Sequence, residues 1–432
     1  MRIVVRAADA RVARDAQALL STAGVQAVAV PGPYRSAPDG EDICIVVADG
    51  EAAADIATAA AGSESPPIAT LAGYRYASPP PLGLFDAAPF SGAITLDAPP
   101  KLLRAQVDAW TRVAIADEER SRRSDTATAI GVTPPHQPEP RKLKALYIGA
   151  PSSMFLALER VLAEQGGLVA AAFTSYAGFD HLHDEPFDAV VLNGAQDSNT
   201  AIALCAALRR NASLYHMPTL MLTKPGDTAT AAAAIDRGAS AISAEKMPCS
   251  ASLGWLFEAV RRERRRNSAE HEMRALRDVM GEARTGLWQR TPFDAHLARL
   301  AADHHASGRP MSMVVLRVMP AFGAREPTEA IWRKGFTEIA SLAARLMRDA
   351  DSGVTMSSDL IALAMPASGL RSAKRTAERI ASVAECTAFA SGEGGAGPLV
   401  FEQSAVELQP GESGPALLAR ALRAIEVESI PA

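Results

Sequence analysis

Along the first 120 residues, short β-branched runs alternate with alanine-rich stretches, which predicts strands and helices in turn. Strands are expected at Arg2–Val5, Val25–Val30, Asp42–Ala48, near Ile68–Ala72 and at Gly92–Leu96. Helices are expected at Val12–Thr22, Glu51–Ala60 and Pro100–Ile115. Strands separated by helices imply a parallel, doubly wound sheet. The alternation restarts at Lys144, with strands at Ala145–Ile148, Ala170–Phe173, Ala189–Leu192, Thr219–Thr223 and Ala239–Ser243. Helices at Met154–Glu164, Ala229–Arg237 and Ser252–Arg266 accompany them. One element order repeated at a period of about 140 residues reads as a duplication.

Between the two copies, Asp117–Lys142 is charged and proline-bearing (Thr133-Pro-Pro-His-Gln-Pro-Glu-Pro140), the composition of a linker. Residues 255–284 read as one long connecting helix. Its Met273, Leu276, Met280 and Ala283 form a narrow apolar seam suited to another helix, and hence to a homodimer. The Arg261–Arg266 cluster on that helix reads as a solvated face rather than a nucleic-acid patch. The last part carries strands at Met313–Val318, Gly353–Met356 and Leu360–Met365, with helices at Thr328–Arg348, Ser372–Ala384 and Pro415–Ile425. The boundaries expected are 1–118, a linker over 119–142, 143–266, a connecting helix over 267–284, and 285–432.

Composition narrows the functional classes. A chain of 432 residues accommodates three domains of about 150 each. With 48% hydrophobic and 22% charged residues it can bury cores, which excludes a disordered or fibrous protein. A net charge of −5 offers no general basic field, so neither nucleic acid nor an anionic membrane is expected as partner. No run of about 18 apolar residues and no signal-peptide core occur, so a cytoplasmic protein without membrane insertion is expected. The four cysteines lie far apart without a CxxC pair. The eight histidines, His181-x-His183 and His304-His305 among them, complete no ligand set, so no metal is expected.

Both N-terminal copies resemble response-regulator receiver domains, the second through Phe187-Asp-Ala-Val-Val-Leu-Asn193 and Pro218-Thr-Leu-Met-Leu-Thr223. The resemblance requires an acidic pair for Mg²⁺, an acceptor aspartate and a lysine. Arg6-Ala7 and Gly149-Ala150 stand at the acidic pair, Val47 and Asn193 at the acceptor, and Asp97 and Ala244 at the lysine. Asp49, two residues beyond the first acceptor position, is the one candidate phospho-acceptor. Thr223 is either a retained switch residue or a strand-end hydroxyl.

The third part resembles GGDEF (diguanylate cyclase) domains through Thr285-Gly-Leu-Trp-Gln-Arg290 and Phe293, Val314–Met319, Ser357-Ser-Asp-Leu-Ile361 and Thr376-Ala-Glu-Arg-Ile380. The fold class expected is α/β: two doubly wound (βα)5 receiver-like domains, then an α/β GGDEF domain of nucleotide-cyclase type. The resemblance also implies that the catalytic groups are lost. Arg317 replaces a metal-binding aspartate, Leu360 an acidic signature residue, and Ser357-Ser358 the paired glycines. Only Asp359 remains of the carboxylate pair, and Arg325-Glu-Pro replaces the guanine-reading region. No catalytic residue, metal or Mg²⁺ cofactor is expected.

One site of the family matches by position. The Arg-x-x-Asp motif that binds cyclic di-GMP as an inhibitor falls on Arg348 and Asp351, nine residues before Ser357. Its secondary arginines fall on Arg375 and Arg379, nine and thirteen residues after Pro366. Arg-x-x-Asp also occurs at Arg6/Asp9 and Arg122/Asp125, so position rather than pattern singles out Arg348. A guanidinium can grip phosphate bidentately and stack on guanine, and a carboxylate can accept from guanine N1 and N2. Surface ion pairs are the other reading of these four residues. Receiver–receiver–GGDEF order is similar to PleD-type regulators, and the missing carboxylates to their PopA-like branch. That resemblance implies a cyclic di-GMP effector acting as a polar scaffold that delivers cell-cycle factors to the ClpXP protease through a partner adaptor. Residual cyclase activity or a phosphorelay role are the alternatives.

Overall fold

The structure is a computed structural model describing all residues except 36–40, 49–51, 65, 76–77, 79, 82–88, 134–140, 245–252, 325, 392–397 and 429–432; for 426–428 only the backbone is described. Asp49 and Arg325 therefore lie outside the described residues. The chain divides into two compact units, Met1–Ala114 with Pro138–Asn267, and Ile115–Gln137 with Ser268–Ala432.

The first unit contains two five-stranded parallel sheets. One comprises β1 (Ile3–Ala7), β2 (Val28–Pro31), β3 (Ile43–Val47), β4 (Ala69–Tyr74) and β5 (Gly92–Thr95), in the order β2-β1-β3-β4-β5. Its helices are α1 (Ala10–Thr22), α2 (Ala52–Ala61) and the start of α3 (Pro100–Ala129). Strands β1 and β3 are buried at every position, as parallel strands covered on both faces must be. Among the described residues no helix lies between β2 and β3 or between β4 and β5, connections that include residues 36–40 and 82–88, outside the described ones.

The other sheet comprises β6 (Lys144–Ile148), β7 (Leu168–Ala172), β8 (Ala189–Asn193), β9 (Thr219–Leu222) and β10 (Ala241–Ser243), in the order β10-β9-β8-β6-β7. Its helices are α4 (Ser153–Glu164), α5 (Ser175–Asp184), α6 (Ser198–Arg210), α7 (Thr228–Asp236) and α8 (Gly254–Met280). The two sheets share one strand order, consistent with duplication. Close packing marks the first sheet. Trp110 of α3 is fully buried over β5, and a Cβ added at Gly92 would lie 1.8 Å from its ring. Gly92→Ala is therefore expected to lower stability by about 2 kcal/mol through overpacking, measurable by urea unfolding.

In the second unit, β11 (Ser312–Pro320), β12 (Ser352–Thr355), β13 (Leu360–Met365) and β14 (Leu399–Glu407) form an antiparallel sheet, β12-β13-β11-β14. Helices α9 (Arg290–Ser307), α10 (Glu329–Leu346), α11 (Leu370–Glu385) and α12 (Gly414–Glu428) pack with it.

Three expectations need correction. The expected linker over 119–142 is helical as far as Ala129, because Glu119, Arg122, Arg123 and Thr126 are buried in the second unit rather than solvated. The seam expected to pair with another helix is covered within its own unit: Met273 packs with Ala116 and Ala269, and Leu276 and Met280 join the core around Phe293. That seam is thus not available as a dimer surface. Nor is Arg261–Arg266 a solvated face, since Arg264 grips Asp188 at 2.8 and 3.0 Å and Arg266 grips Glu263. No described helix is long and apolar enough to cross a membrane.

Candidate functional site

The ends of the two parallel sheets carry side chains that occupy the expected metal and acceptor positions. Arg6 is fully buried on β1 and ion-pairs with buried Glu41 at 3.0 Å. Tyr34 donates to the same carboxylate and lies under the guanidinium at 4.3 Å. In the second sheet, Asn193 donates its side-chain amide to the Tyr147 hydroxyl at 2.8 Å, and that hydroxyl donates to the Ala150 carbonyl. Gly149 has φ 149°, and a Cβ there would lie 2.5 Å from Asn193 Cβ, so no acidic side chain fits. The Thr223 hydroxyl is buried with no hydrogen-bond partner among the described residues.

In the second unit, Ser357–Asp359 form a short hairpin between β12 and β13, closed by the Met356 amide on the Leu360 carbonyl at 2.8 Å. Arg317 sits on β11 opposite Leu360 and ion-pairs with Glu402 of β14 at 3.2 Å. Asp359 accepts from Ser357, and Trp332 donates to the Ser358 carbonyl at 2.9 Å. A fixed cation bound to its own carboxylate thus stands where the resemblance places a metal ligand.

Arg348 and Asp351 follow the end of α10. Asp351 is buried, and its carboxylate accepts from the Arg348 backbone at 3.0 Å and from its guanidinium at 2.5–3.2 Å. The guanidinium also donates to the Pro366 carbonyl at 3.2 Å and the Ser368 hydroxyl at 2.8 Å, yet the side chain remains 45% exposed. Arg379 of α11 donates to the Leu346 carbonyl at 2.8 Å, two residues from Arg348, and Arg375 lies exposed one turn earlier. The structure thus brings Arg348 and Arg379 to one stretch of chain with Arg375 beside them. It places Asp351 differently from expectation: saturated by Arg348 and buried, the carboxylate orients the arginine rather than facing a base.

Two braces hold this loop. Arg123 donates to the Asp351 carbonyl at 2.9 Å and to Glu119 at 2.9 Å. Glu119 also meets His296 Nε2 at 2.9 Å, and His296 stacks near Trp288 at 4.8 Å. Burial acts to raise the Glu119 carboxyl, but His296, Arg123 and Arg122 outweigh it and hold it at about 2. His296 itself is pushed down by burial. The second brace is His304, whose Nε2 accepts from the Ala367 amide at 3.1 Å while Nδ1 meets the Leu300 carbonyl at 2.8 Å. Ala367, at φ 48°, lies between the two residues that contact Arg348.

Burial, then Arg122, drives the His304 imidazole down to about 4. A group whose folded pKa is depressed contributes stability that is complete above its unfolded value and lost as pH falls through the folded one. Melting temperature is therefore expected to fall between about pH 6.5 and 4. In His304→Gln, whose amide can donate to Leu300 and accept from Ala367 without titrating, that component should be absent.

Sequence reasoning missed Arg123, Glu119, His296 and His304. The available signal was a charged run, 117–125, without the proline or glycine expected of a linker.

No protein-family model and no curated protein matches this chain. Among solved structures it is similar to the GGDEF domain of DgcB from Caulobacter crescentus in complex with c-di-GMP, at 20% identity and a TM-score of 0.29, over 35% of this chain and 90% of that one. It is also similar to the FimX GGDEF domain from Pseudomonas aeruginosa, at 12% identity and 0.29, over 34% and 92%. The chemotaxis response regulator CheY4 of Vibrio cholerae matches at 18% identity and 0.24, over 26% and 93%.

Proposed function

We propose that the second unit binds cyclic di-GMP at Arg348, Arg375 and Arg379, with Asp351 positioning Arg348, and that the chain reads this dinucleotide without making it. The observation that carries the reading is the Arg348 guanidinium: aimed by a buried carboxylate, a carbonyl and a hydroxyl, yet 45% exposed beside two further arginines. A guanidinium held this way binds phosphate with little further ordering cost. Calorimetric titration of the full chain with cyclic di-GMP tests it; absence of saturable binding would remove the reading.

Incubation with GTP and Mg²⁺ is expected to yield no cyclic di-GMP by chromatography. Arg317, paired to Glu402, puts positive charge where two carboxylates must balance an ion and a triphosphate. On this reading the output is a ligand-dependent protein contact. Assignment of that contact to a polar ClpXP adaptor pathway rests on the sequence resemblance alone.

A further inference from the structure

Within the first unit, residues 101–113 of α3, 259–266 of α8, the segment 209–218 and the turn 235–240 line a cavity of about 400 Å³. We propose that this cavity binds a nucleoside polyphosphate, with its phosphates on Arg112, Arg237 and Arg262 and its base against Tyr215. The volume suits a small-molecule site of about 300–1,000 Å³.

Charge carries the argument. Six lysines and arginines line the cavity against three carboxylates, and each carboxylate is already engaged. Asp108 is held by Arg104 from outside the cavity at 2.9 Å, Asp236 by Lys101 at 3.3 Å, and Glu263 by Arg266 at 2.5 Å. Arg209 spends its donors on the carbonyls of Tyr215, Met217 and Gly238. Arg262 reaches a carboxylate only at 3.8 Å, on Glu258, which Arg261 binds more closely at 3.0 Å. Lys101 and Arg266 are thus balanced within the cavity, whereas among the described residues Arg112 and Arg237 meet no carboxylate within 4.0 Å. These two and Arg262, gathered on one cavity, repel one another, and a polyanion relieves that repulsion. The same field acts on His216, whose imidazole is pushed down by burial and by Arg266 and Arg112.

An aromatic face completes the site. Tyr215 is 53% exposed and meets His216 edge-on at 4.9 Å, leaving its ring open to a base. A simple phosphate would not use that ring.

Calorimetry on the full chain with ATP, GTP, pyrophosphate and adenosine tests the proposal. Saturable binding of ATP or GTP that weakens with salt, weaker binding of pyrophosphate and none of adenosine are expected. Arg112→Gln with Arg237→Gln, both exposed positions, should reduce nucleotide affinity at least about tenfold with an unchanged circular dichroism spectrum. Arg348→Ala, in the other unit, should leave it unchanged, which separates this site from the dinucleotide site. No saturable binding below about 1 mM, or equal affinity in the double variant, would overturn the site. Pyrophosphate binding as tightly as ATP would overturn the nucleoside assignment.

Discussion

Arg348→Ala is expected to weaken cyclic di-GMP binding by about 100-fold or more. Each charge-assisted bond to a phosphate is worth about 1.5–3 kcal/mol, and a guanidinium makes two, so about 3 kcal/mol of loss is a conservative figure. The same change leaves the buried Asp351 carboxylate with only the Arg348 backbone donor, so some loss of stability accompanies it. Arg375→Ala and Arg379→Ala keep the two effects apart. Both side chains are exposed, and neither change strands a buried charge. Each should cost about tenfold in affinity at constant melting temperature. Wild-type affinity in all three variants would eliminate this surface as the ligand site.

Glu119→Gln is expected to destabilise the second unit by about 3–5 kcal/mol in chemical unfolding, the range for stripping one partner from a buried ion pair. The carboxylate is fully buried and its loss falls unevenly. Arg122 retains Glu118 at 2.6 Å and Asp303 at 2.7 Å. Arg123 keeps only the carbonyls of Met273 and Asp351, so an uncompensated charge is left beside Trp288. Held at about 2, Glu119 contributes stability above about pH 4.5 and loses it as pH falls toward 2. A loss under about 1 kcal/mol would show that the cluster is close to neutral and that packing alone holds this helix segment.

Much of the architecture was legible in the chain. Fully buried strands such as β1, β3 and β8 read as mostly apolar runs, and their alternation with helices pointed to two parallel sheets, though not to the order of the strands. Helices α5 and α6 were missed because their apolar faces are weak, although Thr174 and Asp197 cap them by accepting from Ala177 and Thr200. Helix α9 was missed because its buried face carries His296 and His304 beside Phe293, Leu297 and Leu300, which breaks the apolar period. The tail of α3 was misread for a related reason: charge was taken as a sign of solvent, where Glu119, Arg122 and Arg123 satisfy one another inside a core. Arg348, Arg375 and Arg379 were singled out by the family resemblance, and the structure places Arg348 and Arg379 against one stretch of chain. The inward turn of Asp351 was not legible, because it depends on Ser368 and Pro366 closing around the arginine.

The arginines at 6 and 317 have a thermodynamic consequence. A metal ion occupies its site only in proportion to its free concentration, whereas a tethered guanidinium facing Glu41 or Glu402 has an effective concentration fixed by the fold itself. Chelation or a swing in cellular magnesium therefore cannot vacate either position. Both ion pairs persist whatever the free concentration of a divalent cation.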